Sequence, residues 1–204
     1  MEVLGLHAVF SYLHAPLDRE DSEPLAEAAL RHHYQLVKVH GQCPVIPARF
    51  GQVFGTVSAL RDAVAAEADR WRSLLQIVGD RSEFSLLIDT PLETRQQPMS
   101  TNGLSYLQEQ ARLRSKKQAD LANLGRAAAA LQQALDAIGA SPQVTQKAPG
   151  SIEITALLQA SERVGLEREV QRLLGGAAKL QVRLRGPWPP YSAMLCETSE
   201  SVGV

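Results

Sequence analysis

The segment around which the rest of the chain is organised contains three prolines and reads Arg185-Gly186-Pro187-Trp188-Pro189-Pro190-Tyr191-Ser192. Because proline lacks a backbone N–H and has a fixed φ, we predict that this segment neither continues a sheet nor begins a helix. Trp188 and Tyr191 each combine an apolar body with one polar group. We call Gly186–Ser192 the proline strap and expect it to lie across a groove of its own protein. The alternative is a linker, but linkers rarely contain a Trp and a Tyr.

The composition is that of a globular protein. The chain has 204 residues, of which 45% are hydrophobic and 21% are charged, enough for one large or two small domains. The formal net charge of −1 gives no reason to expect nucleic acid or an anionic membrane as a partner. No signal peptide follows Met1, and no apolar stretch approaches membrane-spanning length. We therefore expect a cytoplasmic protein without membrane insertion.

Residues 1–80 are predicted to form a small α+β domain with the order strand, helix, strand, helix. The second strand contains two prolines, so it is either a short strand or an extended segment at a sheet edge. Each helix carries apolar residues on one face and ends at a glycine. The predicted elements are, in chain order, Val3–Phe10, a helix from Ser22 to Gly41, Cys43–Phe50 and a helix from Ser58 to Gly79.

Residues 81–204 are predicted to form a second domain with the order strand, long helix, hairpin, helix, strand. This is the order of a ferredoxin-like α+β domain, here modified by an extended proline-rich tail at 186–204. The predicted elements are, in chain order, Phe84–Ile88, a helix at about 103–138, a hairpin from Val144 to Leu158, Glu162–Leu174 and Leu180–Leu184.

The long helix exceeds what one small sheet can cover. Apolar residues keep helical phase from Leu104 to Ile138, and Gly139 follows as a stop. We expect the middle of this helix either to project into solvent or to kink near Gly125. Its basic segment, Arg112–Lys117, is most simply a solvated face, because nucleic-acid binding would need further basic or aromatic residues.

Three blocks of sequence resemble a known family. The strap Gly186–Ser192 is similar to the terminal signature of the gas vesicle accessory proteins of the L/F family, and the other two blocks follow the same family's pattern and order. Weaker likeness exists at Gly79 with Glu83 and at His32 or His33. The two further blocks are Val45-Ile46-Pro47-Ala48-Arg49-Phe50-Gly51-Gln52-Val53-Phe54 and Asn102-Gly103-Leu104-Ser105-Tyr106-Leu107.

The chain departs from the family pattern at two places. Ala193 stands where the family usually has Phe after Pro-Tyr-Ser, which weakens any apolar anchor after the strap. An initial strand and loop that the resemblance implies before Val3–Phe10 are absent. We therefore expect an incomplete first sheet, with one edge open or covered differently.

The resemblance implies a role in gas vesicle formation. It implies a non-catalytic accessory protein without a cofactor, located in the cytoplasm and on the gas vesicle. Its partners would be the small, hydrophobic major shell protein, whose aggregation it limits during nucleation, and other gas vesicle accessory proteins. The residues that the resemblance implies for partner binding or structure are Pro47, Arg49, Phe50, Gly51, Gly186, Pro187, Trp188, Pro189, Pro190 and Tyr191.

The role of three of these side chains is open from the sequence. Arg49 either forms an internal ion pair, with Glu83 as the candidate, or faces the partner. Trp188 and Tyr191 either pack on their own domain, which we favour, or contact the partner directly. Because the chain is nearly neutral, we expect it to bind an aggregation-prone partner by burying apolar surface or by pairing at a sheet edge, rather than through charge.

Catalytic and metal chemistry have little support in the sequence. All five histidines lie in the first forty residues, but His32 and His33 diverge by about 100° on a helix and do not readily share a metal. Cys43 has no neighbouring base and is interpreted as a small buried hydrophobe. The competing class is a regulatory module that binds a small molecule on its ferredoxin-like domain, which predicts a polar-lined pocket.

Overall fold

The computed structural model describes residues 1–12, 22–90, 103–176 and 180–194. The polar loop around residues 18–21 and the predicted loop Glu93–Asn102 lie outside the described residues. The chain forms two compact units. The first unit comprises Met1–Ser82 together with the segment that begins at Trp188, and the second unit comprises Glu83–Pro187.

The first unit begins with a hairpin instead of the predicted strand Val3–Phe10. Strands β1 (Glu2–Val3) and β2 (Leu6–His7) pair antiparallel, with Val3 opposite Leu6. The two residues between them have φ values of 50° and 79°, which a tight turn with two left-handed residues requires. The prediction of one strand is wrong because Gly5 lets the chain reverse in the middle of the apolar run.

Three helices follow in the first unit. Helix α1 (Ser22–His40) confirms the prediction. The segment Cys43–Phe50 contains no strand, and the predicted helix from Ser58 to Gly79 is two helices, α2 (Val57–Ala66) and α3 (Ala68–Val78). Thr56 rather than Ser58 caps α2, because its Oγ1 accepts a hydrogen bond from the Ala59 N–H at 3.0 Å.

The break between α2 and α3 lies at Glu67, which has φ −116° and ψ 21°. No glycine or proline marks this break in the sequence, so the periodicity alone did not reveal it. Helix α3 has three buried residues, Ala68, Leu74 and Val78, whereas α2 has none. The break therefore separates an exposed helix from a packed one.

The second unit has the strand and helix order that the sequence predicts. It is a four-stranded sheet with the spatial order β4-β5-β3-β6, the order of a ferredoxin-like domain, which confirms the fold class. Antiparallel pairing places Val144 opposite Ile154 and Thr145 opposite Glu153. The elements are β3 (Ser82–Asp89), α4 (Gly103–Ala137), β4 (Gln143–Ala148), β5 (Ser151–Leu158), α5 (Ala160–Gly176) and β6 (Gln181–Trp188).

The core of the second unit lies between one face of this sheet and the two helices. Alternate residues of β3 and β5 supply the sheet side, as the period of two requires. Helix α4 is unbroken through Gly125, and Gly139 with φ 73° follows its end. The buried side chains are Phe84, Leu86, Ile88, Leu124, Ala128, Leu131, Leu135, Ala140, Ile154, Ala156, Leu158, Leu166 and Val170.

The proline strap departs from the prediction at both ends. Strand β6 continues through Gly186 and Pro187 to Trp188, although we expected the strap not to continue a sheet. Proline is tolerated there because β6 is an edge strand, where a missing N–H need not remove a ladder hydrogen bond. A short 3₁₀ helix at Tyr191–Met194 then begins inside the strap, directly after Pro190, against the expectation that no helix begins there.

Candidate partner-binding surface

The part of the strap that belongs to the first unit is packed rather than free. Pro189 and Pro190 are fully buried, and Ser192 and Ala193 are buried as well. Trp188 and Tyr191 are half-buried. Ala193, at the position where the resemblance implies Phe, therefore lies in the interior of the first unit.

His33 of α1 contacts both aromatic side chains of the strap. Its Nδ1 lies 2.8 Å from the Tyr191 hydroxyl, within hydrogen-bond distance. The His33 ring is also 5.3 Å from the Trp188 ring and 6.1 Å from the Tyr191 ring, measured between centroids. These contacts hold both aromatic side chains of the strap against α1.

The block Val45–Phe54 contacts α1 at His32, the residue before His33. The Gln52 N–H donates to the Arg49 carbonyl at 3.1 Å, which forms a turn with Gly51 at φ 81°, a value that favours glycine. Phe50, in the same turn, places its ring 5.7 Å from that of His32. Pro47 is buried, whereas Arg49 and Gly51 are exposed.

Two of the sequence blocks that carry the family resemblance thus meet on adjacent residues of α1. His32 and His33 diverge by about 100° on a helix, so each contacts a different segment. The weak family likeness at His32 or His33 marked these positions, but no local pattern links His33 to residues near the end of the chain.

His40 is a third histidine of α1 in the packed part of the first unit. Its Nε2 lies 2.9 Å from the Ser82 hydroxyl, and its Nδ1 is buried without a hydrogen-bond partner among the described residues. Burial lowers the pKa of His40 below its ordinary value of 6.5, because the charged imidazolium is desolvated. The neutral form is therefore the one that the fold accommodates.

Most of the large apolar side chains that are exposed belong to the first unit. Leu30, Tyr34 and Val37 follow one another at steps of four and three residues on α1, so they form one stripe. We call these three residues the α1 stripe. The other exposed large apolar residues of the first unit are Leu4, Val9, Phe10, Tyr12, Phe50, Val53, Val57 and Ile77.

The second unit carries polar pairs on the sheet face opposite its core. The Ser151 hydroxyl donates to Asp89 at 2.6 Å and Arg183 donates to the same carboxylate at 2.7 Å, which lower the pKa of Asp89. Lys147 at 2.6 Å and the Ser85 hydroxyl at 2.5 Å likewise lower the pKa of Glu153. These carboxylates are thus held ionised by neighbours in their own sheet.

Neither a metal centre nor a membrane span occurs in the part of the chain that the structure describes. No group of three or more His, Cys, Asp or Glu residues is placed to hold a metal ion there. None of the described helices combines the length and the apolar character that crossing a membrane requires. Cys43 is exposed, which corrects the interpretation as a buried hydrophobe; it follows the end of α1, where its thiol donates to the Val39 carbonyl at 3.7 Å.

An exposed apolar surface such as that of the first unit is typical of a protein that contacts other proteins. The family model "Gas vesicle synthesis protein GvpL/GvpF" matches residues 1–192, so the chain belongs to this family of gas vesicle proteins. The resemblance inferred from the sequence blocks is confirmed. No curated protein sequence matches the chain.

Two solved structures share the fold. The gas vesicle protein GvpF from Anabaena sp. PCC7120 has a TM-score of 0.57 at 15% identity and covers 89% of this chain and 76% of its own. GvpF from Microcystis aeruginosa has a TM-score of 0.58 at 13% identity, with 89% and 82% covered. At these identities the likeness establishes the fold alone.

The residues that the resemblance implied for the site lie in three different places in the structure. Phe50, Trp188 and Tyr191 meet on α1, while Arg49 and Gly51 lie in an exposed turn. Gly186 and Pro187 lie in β6. The ion pair of Arg49 with Glu83 stays a prediction.

Proposed function

We propose that this protein is a non-catalytic assembly factor that binds the major gas vesicle shell protein and limits its aggregation while the vesicle forms. Membership of the gas vesicle synthesis family supports a role in gas vesicle formation. The shell protein must polymerise, so it presents apolar surface before assembly. A factor that covers this surface needs an exposed apolar surface of its own.

The observation that carries the proposal is the concentration of exposed apolar side chains in the first unit. In the α1 stripe, Leu30 is 56% exposed to solvent, Tyr34 is 62% exposed and Val37 is 41% exposed. Burying a side chain of this size contributes about 1.5–3 kcal/mol when it leaves water completely. We assign the α1 stripe, with the Arg49–Gln52 turn, to the shell protein.

The proline strap has a different role in this proposal. Pro189 and Pro190 are fully buried, and the Trp188 and Tyr191 side chains lie against His33. The strap therefore positions α1 from one side, and the α1 stripe faces outward from the same helix. Binding is then driven by apolar burial, since the chain has a net charge of only −1.

The test is co-purification of the full chain with co-expressed shell protein, at low and at high salt. We expect the complex to persist at high salt and Val37→Glu to weaken it at least about tenfold, because a charge then enters an apolar contact. Val164→Glu is the matched control, because Val164 is an exposed valine of α5 in the second unit. It should bind like the wild type.

Two results would contradict the proposal. Dissociation of the complex in high salt would assign binding to charge instead of apolar burial. Equal loss with Val37→Glu and Val164→Glu would show that the α1 stripe is not the contact.

A further inference from the structure

The first half of α4 carries a second apolar seam that the core of the second unit does not use. The buried residues of this helix begin at Leu124, and the preceding turns from Gly103 expose most of their side chains. Six exposed residues follow one another at steps of three, four, three, four and three, the spacing of a coiled-coil seam. These six residues, which we call the α4 seam, are Leu104, Leu107, Ala111, Arg114, Gln118 and Leu121.

The exposure of this seam is large. Leu104 is 65% exposed, Leu107 is 64% exposed and Leu121 is 38% exposed. The seam spans about 27 Å of helix at the α-helical rise. A helix of this length is only marginally stable in water unless one of its faces is packed. The seam is therefore a surface whose burial would stabilise α4.

We infer that the α4 seam is covered by the same seam of a second copy of this chain, with the two helices antiparallel. The steps between seam residues are the same when counted from either end. A two-fold axis near residues 112 and 113 therefore places each seam residue opposite a seam residue of the second copy. Leu104 then faces Leu121 of the second copy, and Leu107 faces Gln118. Ala111 faces Arg114.

Charge and size select the antiparallel arrangement. A parallel pair would place Arg114 against Arg114 of the second copy, and two cations at one layer repel. No described carboxylate forms an ion pair with Arg114. In the antiparallel pair each Arg114 lies beside the small Ala111, where its long side chain has room to reach solvent.

The size of the seam predicts a weak dimer. Two helices in contact over about 27 Å bury about 1,000 Å² in total, the lower end of specific interfaces. Arg114 and Gln118 weaken the seam further, because polar residues at core positions specify register at the cost of stability. Association therefore depends on protein concentration.

The test is analytical ultracentrifugation of the full chain over about a hundredfold concentration range. The wild type is compared with one variant that places a positive charge at Ala111 and one that places a negative charge there. In the antiparallel dimer Ala111→Lys faces Arg114 and should weaken association at least about tenfold, whereas Ala111→Glu faces the same cation and should strengthen it. Ala119→Lys and Ala119→Glu are matched controls. Ala119 is an exposed alanine of the same helix outside the seam.

Each other outcome overturns the inference. If the wild type and Ala111→Glu remain monomeric at every concentration, the seam does not bind a second copy. If both charges at Ala111 weaken the dimer, the helices are parallel. If the Ala119 variants dissociate it equally, or no variant changes it, another surface forms the dimer. If Ala111→Lys stays monomeric like the wild type but loses the shell protein, the seam binds that partner instead.

Discussion

His33 contacts the strap across a long stretch of sequence. It lies 158 positions from Tyr191 in sequence, yet the two side chains are within hydrogen-bond distance. The neighbouring His32 contacts Phe50 of the other sequence block. One dipeptide on α1 therefore contacts two segments that are distant in sequence.

Removing the Tyr191 hydroxyl should measure this contact. We expect Tyr191→Phe to lower the free energy of unfolding by about 0.5–1.5 kcal/mol, the usual contribution of one hydrogen bond. Urea unfolding followed by tryptophan fluorescence is the measurement. Tyr34→Phe is the matched control, because Tyr34 is the adjacent α1 tyrosine and is 62% exposed. An equal loss in both variants would argue against the His33 bond.

The burial of His40 predicts a pH dependence of stability. Its pKa is lower in the folded protein than the ordinary 6.5, so the unfolded chain takes up the proton first as the pH falls. The stability contributed by neutral His40 is full above pH 6.5 and is lost as the pH falls below that value towards the folded pKa. We expect His40→Gln, which keeps a polar group near Ser82, to flatten this loss.

Unfolding free energies of both proteins at about pH 7 and about pH 5 provide the comparison. Asp89 and Glu153, whose folded pKa values are lowered from 3.8 and 4.5, contribute little over this window, because even the unfolded chain keeps these carboxylates mostly ionised at about pH 5. The same slope in wild type and variant would rule out His40 as its source.

At the scale of the element, α4 is one helix with two environments. Its second half buries Leu124, Leu131 and Leu135 against the sheet, and its first half exposes the α4 seam. The sequence predicted either projection into solvent or a kink near Gly125, and the helix continues without a break through that residue. Glycine is tolerated there because it lies on an exposed face.

The same substitution in the two halves should therefore have unequal effects. Leu131 is 1% exposed, and Leu131→Ala should lower the free energy of unfolding by about 2–5 kcal/mol through lost burial and a residual cavity. Leu107→Ala, at a residue 64% exposed, should change it by less than about 0.5 kcal/mol in dilute solution. Chemical denaturation of both variants tests this, and comparable losses would mean that the first half is packed as well.

At the scale of the whole molecule, each of the two units carries its own exposed apolar surface. The α1 stripe belongs to the first unit and the α4 seam to the second. We assign the first surface to the shell protein and the second to another copy of the chain. The two assignments fail separately, because Val37→Glu and the charge variants at Ala111 alter different helices.

The sequence alone was enough to predict helix α1 of the first unit, the order of elements in the second unit and its ferredoxin-like fold. Alternation in β6, helical periodicity in α4 and the stop at Gly139 are local signals, because they depend on side chains a few positions apart. The family resemblance also came from the residues alone, because the order of residues in the proline strap is unusual enough to be recognised without a structure.

The remaining features depend on contacts between residues far apart in the chain or on local packing. The reversal at Gly5 replaced one strand by a hairpin, and the break at Glu67 left no composition signal. The passage of β6 through Pro187 depends on its position at a sheet edge, and the contact of Tyr191 with His33 depends on where α1 lies. Such contacts are set by packing, and no local pattern of residues encodes them.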